Sequence, residues 1–149
     1  MMADIAKNCE MKPVPLRDVA ERQGLSKLYL SQLAMPLRNA ALLRSVWGNR
    51  GGYQLSRPSA EIKLLEIIEA VDGPVAVIDC VANPETCDRS DYCECIGVWN
   101  DINKALTGIL KRYSLADLIA RGEPKGQAGL SCFPQLKDQG VVPYDPSAH

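Results

Sequence analysis

Apolar positions in the first part of the chain follow a helical rhythm, and the rhythm then changes twice. In "PLRDVAERQGLSKLYLSQLAMPLRNAALL", Leu16, Val19 and Ala20 recur at helical spacing. Gly24 suits the left-handed conformation that closes a helix, and Ser26 suits the N-cap of the next one. Leu30, Leu33 and Leu37 line one face of that second helix, while Lys27, Leu28, Tyr29, Ser31 and Gln32 crowd its amino-terminal end. Pro36 lacks a backbone donor and predicts a kink or a shortened helix.

The spacing then becomes extended. "LLRSVWGNRGGYQLSR" predicts a short strand at Leu43 to Trp47, a Gly/Asn turn, and a second strand at Tyr53 to Ser56. Helix, tight turn, helix and a two-stranded hairpin, in that order, form the pattern of a winged helix. Beyond Arg57-Pro58 the helical rhythm returns in "AEIKLLEIIEAVDGP". Ile62, Leu65, Ile68 and Ala70 to Val71 predict a buried helix with an acidic outer face, ending at Gly73-Pro74. In "VWNDINKALTGILKRY", Val98, Ile102, Ala105 to Leu106, Ile109 and Tyr113 form one apolar stripe over about four turns. Little else in the chain is available to cover it. It therefore reads as a dimerisation helix, with packing inside the monomer as the competing reading. Ser114 suits the cap of a last short helix through "LADLIA".

The resulting expectation is a mainly α chain: a winged helix-turn-helix with a small β-hairpin wing and a long dimerisation helix. Residues 1–57 would form the winged helix, 58–121 the cysteine loop and dimerisation helix, and 122–149, rich in Gly, Pro and polar residues, a mobile arm. The 149 residues suffice for one domain with an appended arm. No internal repeat is evident.

Charge sharpens this division. Lys12 to Arg57 carries eight basic residues against Asp18 and Glu21, a net +6, whereas Glu61 to Asp101 carries ten acidic residues against Lys63 and Arg89, a net −8. A formal net charge of −1 conceals this asymmetry. A basic module beside an acidic one points the first toward a polyanion, and with a winged helix that polyanion is double-stranded DNA. No apolar run approaches the roughly 18 residues of a membrane span. The first ten residues lack the pattern of a secretory signal, so a cytoplasmic, reducing compartment is expected. No catalytic constellation is visible: the sole histidine is His149, no glycine loop precedes a helix to cradle phosphate, and no carboxylate pair marks a cleft.

Four of the six cysteines, Cys80, Cys87, Cys93 and Cys95, fall within sixteen residues. Asn83, Pro84, Asp88, Arg89, Ser90 and Asp91 between them favour turns, so the segment reads as a polar loop able to fold several thiolates onto one centre. Clustered thiolates suit an iron–sulfur cluster as well as zinc, and spacing does not choose between them. A regulatory disulfide is the third possibility. Cys9 and Cys132 stand apart, and for them an ordinary structural reading is preferred.

In this order the motifs resemble the IscR/NsrR/CymR (Rrf-type) family of winged-helix transcription regulators, from about Lys12 to Ile119. The matching stretches are "VAERQGLSKLYLSQL" (Val19 to Leu33), the wing signature "GGYQL" (Gly51 to Leu55), "EAVDG" (Glu69 to Gly73), the Cys80/Cys87/Cys93 trio, Trp99 six residues beyond it, and "SLADL" (Ser114 to Leu118). The resemblance implies a homodimer on a near-palindromic operator, with a recognition helix in the major groove, a wing reaching the minor groove, and an iron–sulfur cluster, [2Fe-2S] or [4Fe-4S], that senses redox, nitric oxide or cluster status. The DNA-contacting candidates are then Lys27, Leu28, Tyr29, Ser31, Gln32, Arg38, Trp47, Asn49 and Arg50. The chain departs from the family pattern at three places. It starts at "MMADIAKN", already inside the family's first helix. It has Trp47 where the wing often carries arginine, which leaves Arg50 for the groove. It has Ile96 where cluster-binding relatives place a histidine, and Cys95 is the candidate fourth ligand, with Glu94 or a residue of the other subunit behind it. A cluster-free thiol or zinc loop on the same regulator, and an iron–sulfur electron-transfer protein, are the rival functions.

Overall fold

The computed structural model describes residues 1–8, 12–48, 51–89 and 92–122. The expected arm therefore lies outside the described residues, apart from its first residue, and so do Asn49, Arg50, Cys9 and Cys132.

Among the described residues, seven α-helices and one hairpin follow in sequence. Helix α1 (Met2–Asn8) precedes α2 (Leu16–Gln23), and Gly24, with φ 64°, closes α2 in the left-handed conformation. Helix α3 (Lys27–Asn39) begins at Ser26, whose hydroxyl oxygen accepts the Tyr29 backbone N–H at 3.0 Å. Both turn signals thus act as the sequence predicts. Pro36 does not shorten α3, which continues to Asn39, with the Ala40 N–H donating to the Pro36 carbonyl at 2.9 Å. Only the bond that the Pro36 nitrogen would have donated is lost, and it would have gone to Gln32, an exposed residue whose carbonyl can turn to water.

Strands β1 (Leu43–Val46) and β2 (Gly52–Leu55) pair antiparallel, with Leu43 opposite Leu55 and Val46 opposite Gly52. Both strands end one residue earlier than expected. The wing is fastened to the body through a third backbone segment: Val14 and Tyr53 exchange two N–H···O bonds of 2.9 Å each. This contact explains the second glycine of "GGYQL". A Cβ at Gly52 would lie 2.5 Å from the Val14 carbonyl, against immobile backbone.

Helix α4 (Leu64–Asp72) ends at Gly73, φ 85°, and leads into the one-turn helix α5 (Asp79–Ala82) and a 3₁₀ turn at Pro84–Thr86. Helix α6 (Ile96–Arg112) is the longest, at 17 residues. Helix α7 (Leu115–Gly122) runs two residues beyond "LADLIA". Ser114 caps it in both directions: its backbone N–H and hydroxyl donate to Asp117 Oδ2 at 2.7 and 2.6 Å, and its oxygen accepts the Asp117 N–H at 3.2 Å.

The core gathers Ile5, Val19, Leu30, Ala34, Leu37, Leu42, Leu43 and Leu55 from the first half, and Ile62 and Leu115 from the second. Helix α4 is less buried than its pattern suggests. Within the single chain only Leu65 of that helix is fully buried, and Ile67, Ile68 and Val71 are half-covered.

Candidate nucleic-acid interface and cysteine loop

Helix α3 presents opposite faces to opposite environments. Leu30, Ala34 and Leu37 are buried, which turns Leu28, Gln32 and Met35 outward. Leu28 is 72% exposed and Met35 60% exposed. Lys27 and Arg38 are exposed at the two ends of the helix. Ser31 is half-buried, and its hydroxyl donates back to the Lys27 carbonyl at 2.9 Å. Tyr29 is 49% exposed and borders an apolar groove of about 610 Å³ that it lines with Leu33 and Leu37, residues of α1 and α4, and Leu115 and Leu118 of α7. At the wing, Trp47 is 94% exposed immediately after β1. Met35 is absent from the sequence candidates, although its place seven residues after Leu28 puts it on the same face.

The positive charge is smaller in effect than in number. Arg22 is committed to Asp4, a buried carboxylate that accepts Nη2 at 2.5 Å and Nε at 3.1 and 3.2 Å, while Gln23 Nε2 adds a bond at 3.0 Å. Burial alone would raise the Asp4 pKa, but hydrogen bonds from Arg22 and Gln23 and the Arg22 charge outweigh it and hold it below the ordinary value. Arg57 is bonded to Glu66, whose carboxylate also accepts the Lys63 backbone N–H at 3.0 Å. Burial likewise pushes Glu66 up, and hydrogen bonds from the Lys63 backbone and Arg57 bring it below the ordinary range. Arg17 lies 3.7 and 3.6 Å from Asp18 and Glu21. Lys12, Lys27, Arg38 and Arg44 are the other exposed cations among the described residues of this segment.

The cysteine loop spans α5, the 3₁₀ turn and the start of α6. Cys80 is on α5, Cys87 follows the turn, and Cys95 immediately precedes Ile96, the first residue of α6. All four thiols are free; Cys80, Cys87 and Cys93 are half-buried and Cys95 is exposed. The loop's lead-in is tied to α6 by the Val77 N–H, which donates to Asn103 Oδ1 at 3.2 Å. Among the described residues no group of three or more His, Cys, Asp or Glu side chains converges as a metal site. The donor chemistry suits a thiophilic metal or cluster, but in the single chain the thiols are not gathered round a centre.

Helix α6 buries no residue in the single chain. Val98, Ile102, Leu106 and Ile109 are 61%, 43%, 37% and 47% exposed and share one face. No helix among the described residues is long and apolar enough to cross a membrane.

A helix-turn-helix whose second helix is open along one side, beside a hairpin wing, defines a winged-helix DNA-binding protein. Comparison with known proteins makes the class specific. The Rrf2 family, described as "Iron-dependent Transcriptional regulator", matches residues 1–121, and the chain belongs to that family. The HTH-type transcriptional regulator IscR of Photorhabdus laumondii subsp. laumondii is 40% identical over 128 residues, which cover 86% of this chain and 77% of that relative. IscR of Klebsiella pneumoniae strain 342 is 40% identical over 122 residues, 82% of this chain and 74% of the relative. Among solved structures, T. potens IscR aligns with a TM-score of 0.64 at 35% identity, covering 85% of this chain and 83% of that one. CymR, the global cysteine regulator of B. subtilis, aligns with a TM-score of 0.66 at 31% identity, covering 82% and 89%. The protein is thus a transcriptional regulator that binds DNA, and not an enzyme.

Proposed function

We propose that the chain is a cytoplasmic, homodimeric regulator whose grip on a near-palindromic operator is set by an iron–sulfur cluster on the cysteine loop. Residues 1–57 act as the reading head, 58–121 as the sensing and pairing half, and 122–149 as an appended arm. The observation that carries this reading is one of continuity. Four free thiols lie on a segment that runs directly into a 17-residue helix with no buried residue. An apolar face of that length left open in a single chain calls for a partner, and a second copy supplies an identical face.

On DNA, α3 enters the major groove and the wing approaches the minor groove, with Trp47 beside it and Asn49 and Arg50 as further candidate contacts. Lys12, Lys27, Arg38 and Arg44 meet phosphates, which sets affinity and its salt dependence more than sequence choice. Cys80, Cys87 and Cys93 hold the cluster, and Cys95 offers the fourth thiolate, with Glu94 or a residue of the second copy as the substitute. When bound, the cluster supplies a centre that reacts to redox change, nitric oxide or iron–sulfur supply. This chain's own part is mechanical. Drawing the thiols together fixes the segment that precedes α6 and, through α6, the spacing of the two reading heads.

The test is the visible spectrum of anaerobically purified protein. Cys87→Ala should abolish the cluster absorption of the parent, and a mutant that keeps the full spectrum overturns the ligand assignment. A second reading keeps the same regulator with a bare-thiol or zinc loop. It draws support from the closeness of Cys93 and Cys95 along the chain and from all four thiols being free. Iron, sulfide and zinc counts on the same sample separate the two.

A further inference from the structure

The outward face of α3 suggests which base it reads. Of the five candidates at its amino-terminal end, the Ser31 hydroxyl is bonded back to Lys27, and Tyr29, 49% exposed, also borders the apolar groove. Lys27, Leu28 and Gln32 are the remaining three, and all are exposed. Lysine serves phosphate and guanine alike. Leu28 is the more informative residue. It sits on the first turn of the second helix of a helix-turn-helix, 72% exposed, with no polar atom beyond its backbone. Its place is not dictated by packing, because Leu30, Ala34 and Leu37 already form the buried face.

In the major groove an aliphatic side chain has one distinctive partner, the C5 methyl of thymine; every other base edge offers donors or acceptors that leucine cannot meet. Resting on the DNA-binding reading above, we propose that Leu28 is a specificity-determining residue that recognises a thymine methyl in each half-site. Gln32 lies one turn further along the same face, at the spacing that makes side chains neighbours, and is suited to adenine N6 and N7. The first turn of α3 is accordingly biased toward an A·T step rather than a G·C one.

The experiment selects operators from a random duplex pool with the full-length protein, then replaces each thymine of the winning sequence, one at a time, by deoxyuridine, which lacks only the methyl. One position per half-site should lose roughly fourfold in affinity, the effect of uncovering about one methyl-sized apolar contact. Leu28→Ser should bind the thymine and deoxyuridine duplexes equally at that position, whereas Glu69→Gln, at an exposed position on α4, should keep the discrimination. The wild-type scan decides by itself if Leu28→Ser does not fold. Uniform tolerance of deoxyuridine by the wild type, or undiminished discrimination by a folded Leu28→Ser, overturns the Leu28 assignment and leaves DNA binding intact. Failure to enrich any sequence overturns the assignment together with the functional reading on which it rests.

Discussion

Residues 1–57 and residues 58–122 treat their apolar side chains in opposite ways. In the first region almost every large aliphatic residue of the helical and strand patterns finds cover within the chain: Val19, Leu30, Leu37, Leu42 and Leu43 are buried. The most exposed exceptions, Leu28, Met35 and Trp47, lie on the face and wing that meet DNA in the proposed function, with Leu25 and Tyr29 exposed to a lesser degree nearby in the chain. In the second region the longest helix buries nothing, and its exposed apolar residues recur along one side. The contrast teaches that the same helical periodicity marks a core in one place and an interface in another. What separates them is how many other apolar faces the chain can bring to bear. The reading head has α1, α2, α3 and the wing around one centre, while among the described residues α6 packs mainly against α4 and the short α5.

Several substitutions should break this contrast if it is false. Leu30→Ala empties a fully buried position and should cost about 2–5 kcal/mol in chemical denaturation. A smaller loss would mean that the reading head's core is loosely packed. Ile102→Asp places a charge on the open face of α6 and should leave the fold of the single chain nearly unchanged, within about 0.5 kcal/mol. In sedimentation it should weaken the proposed dimer at least roughly 100-fold, or about 2.8 kcal/mol. Full unfolding on that substitution would return α6 to the monomer's own core.

Asp4→Asn tests the join between α1 and α2 and should cost about 1.5–3 kcal/mol near neutral pH, the scale of hydrogen bonds to a charged group. Because the Asp4 pKa is depressed in the folded chain, its contribution is complete above the ordinary carboxylate value of about 4 and fades as pH falls through the lower folded value. The gap between wild type and Asp4→Asn in urea titrations should therefore be constant from neutral pH to about pH 5 and close below about pH 4. A gap that widens on acidification contradicts the pairing.

Much of this arrangement is legible in the sequence where local rules govern. Gly24, Ser26 and Ser114 announce helix ends, because capping is decided within a few residues. The hairpin is visible in "GGYQL", although the reason for Gly52, the close approach of Val14, is not. Long-range contacts leave no periodic trace. Asp4 gives no sign that it will meet Arg22 eighteen positions away, so counting Arg22 and Arg57 as free cations overstates the charge available to a polyanion. The helix is not shortened at Pro36 for a similar reason, since an exposed carbonyl one turn back can forgo its bond. For the candidate site, the sequence finds the first turn of α3 but misses Met35, and gives no sign that Tyr29 also borders an apolar groove. The four thiols are evident by count, whereas their convergence depends on whatever draws the loop together.

The most direct test of the proposed coupling is operator affinity at one fixed salt concentration, measured anaerobically on the same preparation before and after removal of the cluster. The coupling predicts a change of at least about tenfold, roughly 1.4 kcal/mol between the two states, and the loss of that change in Cys87→Ala. Equal affinity in cluster-loaded and cluster-free protein would contradict it, leaving a DNA-binding dimer whose cysteines do not govern its grip.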